Sequence, residues 1–200
     1  MPSLSSTSLF SCLLLLSCIL QVHGEWTLHR SDLGCRFSLA AWNMTEQYTN
    51  TTMMPLVLAN NAPFDGPSYE ITSTFASYPV NVYPTLSLVN GSLRAYRASG
   101  AWLTNATAVQ NGDLLTWYTS PLFNHDAARI YSVVQSPVGM SLSAYGEAGL
   151  WFLCSIQSKS TPPMMSVVFN LTRDSHVDVV DPDACWSTRI TLVPVAGSAC

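Results

Sequence analysis

Apolar and polar residues alternate along most of the chain beyond position 25, in short runs broken by Gly, Pro, Asn and Ser. Alternation with period two predicts strands that bury one face. Gly139 to Asn170 carries the pattern most clearly. Met140 to Tyr145 and Leu150 to Ile156 are apolar alternating runs separated by Gly146 and Gly149, and Met164 to Phe169 follows a polar, proline-bearing break from Ser158 to Pro163. These read as three consecutive antiparallel strands. Arg36 to Trp42, Met54 to Leu58, Tyr69 to Phe75, Ala101 to Val109, Leu114 to Tyr118, Arg129 to Gln135 and Ser187 to Val193 read as further strands. Val80 to Tyr83 lies between Pro79 and Pro84 and is an edge strand at best.

The clearest local signal is Leu86 to Tyr96, two alternating arms around Asn90-Gly91. A type I′ hairpin turn needs positive φ twice, and Asn followed by Gly supplies it. No helical apolar period of useful length occurs after Glu25, and Ser, Thr, Val, Tyr and Trp dominate. The pattern predicts one all-β domain over residues 25–200, an antiparallel β-sandwich stabilised by disulfides. A β-trefoil is the alternative. Ser-Leu-x-Ala-aromatic recurs at Ser38 to Trp42, Ser92 to Tyr96 and Ser141 to Tyr145, spaced by 54 and 49 residues.

Residues 1–24 stand outside that pattern. Leu9 to Leu20 is a twelve-residue apolar run ending before the small residues Val22 and Gly24. It is too short to span a bilayer and reads as a cleaved secretory signal. Cys12 and Cys18 would leave with it. Cys35, Cys154, Cys185 and Cys200 remain, an even number that predicts two disulfides in a secreted chain. Three connectivities are open. The favoured one joins Cys154 to Cys185, clipping the third apolar run to the acidic segment after it, and Cys35 to Cys200, tying the two ends.

Five N-glycosylation sequons begin at Asn43, Asn50, Asn90, Asn105 and Asn170, which fits an extracellular protein with sugar on its loops. The net charge is −4, with only eight Lys and Arg residues. No basic stripe exists, so nucleic acid and anionic membranes are poor partners. No membrane association is expected once the signal is cleaved.

No Gly-x-Ser-x-Gly, His-Glu-x-x-His or P-loop pattern occurs. His125-Asp126 reads as a solvated loop rather than a catalytic pair. Asp174, His176, Asp178, Asp181 and Asp183 are the best calcium candidates, but their spacing departs from an EF-hand and an acidic loop is the simpler reading. No cofactor is expected. Trp117-Tyr118 is the aromatic pair most open to stacking on a sugar ring. Neighbours on a strand point to opposite faces, so one of the two should face out.

Gly146 to Cys154 (GEAGLWFLC) and its surroundings resemble fungal secreted cell-wall proteins of the PhiA-like family, and in style the C-terminal domain of PIR-type wall mannoproteins. The matching features are Asn90 to Leu93, Gly149 and Phe152 before Cys154 at a strand end, the apolar strand Val167 to Phe169, and Cys185 downstream. The resemblance runs from Leu86 onward. It implies a secreted or wall-associated, non-enzymatic glycoprotein, and it carries over no catalytic residue; cell-wall polysaccharide is the candidate partner. A carbohydrate-binding module and a secreted polysaccharide hydrolase are the alternative functions.

Overall fold

A computed structural model describes residues 28–44, 53–60, 69–120, 127–136, 139–156, 163–172, 175, 180–197 and 200. Among these there are thirteen strands and no helix. They are β1 (His29–Arg30), β2 (Phe37–Asn43), β3 (Met53–Asn60), β4 (Tyr69–Thr74), β5 (Thr85–Val89), β6 (Ser92–Tyr96), β7 (Trp102–Ala106), β8 (Thr116–Thr119), β9 (Tyr131–Ser136), β10 (Gly139–Ala144), β11 (Trp151–Ile156), β12 (Met164–Phe169) and β13 (Val180–Pro194).

The strands form one continuous antiparallel sheet, not the two packed sheets of the expected sandwich. Nine of them close on themselves in the order β13, β2, β5, β6, β7, β8, β4, β12, β11 and back to β13. The architecture is a closed barrel with additions. β3 bridges β2 and β4, while β10, β9 and β1 extend outward from β13. The sandwich fails because β2, β4 and β13 each pair with three strands, joining the edges that would have kept two sheets apart. β13 is long enough for this: its 15 residues run beside β11 from Val180 to Thr188 and reach β10 at Thr191.

The trefoil reading fails too. The three copies of the repeated motif lie on β2, β6 and β10, and β10 lies outside the closed ring. Consecutive strands are also not always neighbours. β11 and β12 pair as expected, but the last strand, β13, lies between β10 and β11.

The hairpin at Asn90-Gly91 forms with φ of 48° and 78°, the double positive φ of a type I′ turn. Its tip is docked: Gly91 donates to the Ser31 carbonyl and accepts from Tyr131 N–H. A Cβ on Gly91 would lie 3.2 Å from the Arg129 carbonyl carbon, so position 91 needs glycine for space as well as for φ.

The barrel interior holds Trp117 and Trp151, both fully buried, packed with Leu39, Leu88, Leu93 and Leu153. Trp151 meets Phe169 edge-on at 4.9 Å and donates to the Leu142 carbonyl. Cys154 and Cys185 face each other directly across β11 and β13 and are bonded, and Cys35 is bonded to Cys200 across 165 residues. Val80–Tyr83 forms no strand. The acidic segment is strand from Val180 onward, because β13 begins seven residues before the expected Ser187.

Candidate functional site

The strand register of β7, β8 and β4 divides their side chains between two faces. Asn105, Tyr118 and Tyr69 stand opposite one another in a row, and Ala106, Trp117 and Glu70 form the next row. Because successive residues alternate, the first row faces out and the second faces in. Tyr69 is 41% exposed, whereas Trp117 is fully buried.

The outward row lines a cleft of about 280 Å³. Tyr69 and Tyr118 form part of its wall, their ring centroids 5.0 Å apart and tilted at 53°. Asn105 and Thr107 supply polar groups, and Ala108, Ala127 and Ala128 supply methyls, while Ala106 borders the cleft with its backbone because its methyl faces the core. Trp102 Nε1 donates to Asn105 Oδ1 at 3.0 Å, and the Arg94 guanidinium stacks 4.0 Å over the Trp102 ring. Thr107 is held from behind: its hydroxyl meets that of Thr116 at 2.6 Å, and its carbonyl accepts a hydrogen bond from the Tyr131 phenol. Burial, with Tyr145 and Asp113 nearby, pushes the Tyr131 phenol pKa up, so this donor keeps its proton. The described lining thus offers two aromatic rings, an amide, a hydroxyl and small apolar groups. That chemistry suits a neutral polyhydroxylated ring with a C–H face and a rim of hydroxyls.

The inward row is different. Trp117 Nε1 donates to Thr72 Oγ1 at 2.8 Å, tying β8 to β4 inside the barrel. Glu70 is 6% exposed and accepts from the Thr119 hydroxyl at 3.1 Å and from the Tyr83 phenol at 3.3 Å. Thr119 in turn meets Thr104 at 2.6 Å. Burial raises the Glu70 pKa above the ordinary carboxylate value, while Thr119, Tyr83 and Arg97 pull it back in part. Glu70 and the cleft therefore lie on opposite faces of β4.

Glu70 makes stability depend on pH in a definite direction. A carboxyl whose folded pKa is raised binds more protons folded than unfolded between its unfolded and folded pKa values, so stability falls as pH rises through that window. Measured against Glu70→Gln, the thermal midpoint of the native protein should fall as pH rises from about 4. Glu70→Gln cannot titrate, and its melts should lack that component. Equal slopes for the two proteins would refute this.

Of the aromatic pair singled out by the sequence, Trp117 cannot stack on a sugar, because its ring lies in the core. Tyr118 takes the outward position, and its partner, which no sequence pattern marks, is Tyr69, 49 residues earlier, brought alongside by the β4–β8 pairing. Of the sequons, Asn105 lies in the cleft, Asn90 is exposed at the hairpin turn, Asn43 ends β2, and Asn170 Nδ2 donates to Asn111 Oδ1 at 2.7 Å. Asn50, His125, Asp126, Asp174, His176, Asp178 and the segment 1–24 lie outside the described residues. Asp183 is exposed on β13. Among the described residues no group of three or more His, Cys, Asp or Glu is placed to hold a metal ion, and no helix is long and apolar enough to cross a membrane.

No protein-family model matches the chain, and neither a curated protein nor a solved structure does.

Proposed function

We propose that the protein is an extracellular, non-catalytic glycoprotein of the wall-associated type, and that its cleft between β7, β8 and β4 holds a saccharide ring. The observation that carries this reading is the outward pair Tyr69 and Tyr118 beside Asn105 and Thr107 in a cleft of about 280 Å³. Clefts for drug-sized ligands run from about 300 Å³ upward, so this one suits a single ring better than a length of polysaccharide. Two disulfides are compatible with the extracellular setting. The resemblance to fungal wall proteins supplies the context of a polysaccharide matrix. The described cleft lining of aromatic rings, an amide, a hydroxyl and methyls suits holding a sugar ring, and the non-catalytic part of the reading rests on the resemblance to wall proteins.

The test uses protein made in an oxidising bacterial compartment, where disulfides form and no N-glycan is added. Incubated with insoluble chitin, β-glucan and cellulose, it should be retained on at least one without releasing soluble sugar. Tyr118→Ala should weaken retention about tenfold, the equivalent of about 1.4 kcal/mol of lost contact. Release of sugar would overturn the non-catalytic assignment. Retention unchanged in Tyr118→Ala would overturn the cleft as the site.

A further inference from the structure

Asn105 is at once a wall of the cleft and the acceptor residue of the sequon Asn105-Ala106-Thr107. Taking the cleft as a saccharide seat, as above, we infer that in the secreted protein its occupant is the first sugar of the chain's own N-glycan on Asn105. The glycan thereby closes the cleft to outside polysaccharide.

Three observations converge on this. Trp102 Nε1 holds Asn105 Oδ1, which fixes the amide and leaves Nδ2, the atom that carries a glycan, without a partner among the described residues. Asn170 differs, since its Nδ2 is already committed to Asn111. Second, the register puts Tyr118 directly across from Asn105 and Tyr69 one strand farther. Directly opposed Cβ atoms lie about 5 Å apart, and the next strand is about 4.8 Å beyond. A sugar linked at Nδ2 is held within one ring's breadth of both tyrosines by its covalent bond alone. Third, the size and chemistry match one residue of that kind. The cleft holds about 280 Å³ and presents alanine methyls at positions 127 and 128 beside the tyrosines, a surface for the acetamido methyl of an N-acetylhexosamine.

The linkage favours the internal sugar over an external one. A tethered ligand binds as though at millimolar local concentration or more, and it has already lost its translational freedom. An external polysaccharide must displace it. The sequon's occupancy thus sets whether the cleft is open.

The experiment compares the wild type, Asn105→Gln, Tyr118→Ala and the double variant, each made as the secreted glycoprotein and as the bacterial unglycosylated form. Peptide mass spectrometry reads occupancy at Asn105, thermal melts read stability, and polysaccharide retention reads access to the cleft. The bacterial set removes the effect of the side-chain change itself. The Asn105 glycan should raise the melting temperature by about 2–4 °C in the wild type and by nothing measurable beside Tyr118→Ala. Secreted Asn105→Gln should be retained on polysaccharide about tenfold more than the secreted wild type. An unoccupied Asn105, or a glycan contribution equal in both backgrounds, would overturn the inference, even if Tyr118-dependent retention of the bacterial protein upheld the saccharide seat. Glycan stabilisation that depends on Tyr118, without retention of any unglycosylated form, would uphold the seated glycan and remove only the polysaccharide reading.

Discussion

Replacing Cys35 and Cys200 together by serine should lower the stability of the protein by about 5 kcal/mol. The bond closes a loop of 165 residues, and the entropy that a cross-link removes from the unfolded chain grows with the logarithm of loop length, to about 4.7 kcal/mol for 100 residues and slightly more here. That is comparable with the whole stability of many domains, so the variant should be largely unfolded at physiological temperature. Cys35 is buried beside β2, so the cross-link pins the chain's end close to the strand that joins β13 to β5. Denaturant titration of the oxidised wild type and the double variant measures the difference. A loss below about 1 kcal/mol would mean that the unfolded chain is already held compact by other means.

The second large effect is expected from Trp117→Ala, at about 3–5 kcal/mol, as for other buried large aromatics cut to alanine. The ring is fully enclosed, its N–H is bonded to Thr72, and removal leaves both a void and an unpaired hydroxyl at the β4–β8 pairing. The contrast with position 118 is the point of the measurement. Tyr118→Ala should cost sugar contact with little stability, and Trp117→Ala should cost stability while leaving the outward tyrosines in place. Urea midpoints for both variants, alongside the polysaccharide assay, separate the two. Similar losses of stability at the two positions would contradict the assignment of opposite faces.

The strands were legible one at a time. Period-two runs located β2, β4, β5, β6, β11 and β12 to within a residue or two, because each carries its own alternation and its own punctuation. Asn90-Gly91 specified its turn because the conformation is a property of those two residues. The closure of the sheet was not legible. It depends on β2, β4 and β13 pairing with three strands each, and a strand's hydrophobic pattern says which face is buried but not how many neighbours share an edge. β1 is two exposed residues, too short to carry a period. For the site, alternation implied that one of Trp117 and Tyr118 faces out but not which one. Tyr69 was invisible as its companion, since the pairing that unites them spans 49 residues. Glu70 could not be picked from the other acids by sequence, because its burial is set by the barrel and not by its neighbours along the chain.

The place of β13 has a consequence for the order of events during synthesis. Among the described strands it comes last in chain order, yet it lies between β10 and β11 and also carries β2, the earliest strand of the ring. Until β13 is made, the two ends of the wall cannot meet, and much of the core stays wet. On the proposed reading, an enzyme adding sugar to the growing chain would meet Ser92 and Thr107 while they are still free. In the finished molecule Ser92 is buried and bonded to the Ala127 carbonyl, and the Thr107 hydroxyl is taken by Thr116. On that reading, the late arrival of one strand would hold open a window for modification at Asn90 and Asn105 that the closing of the barrel ends.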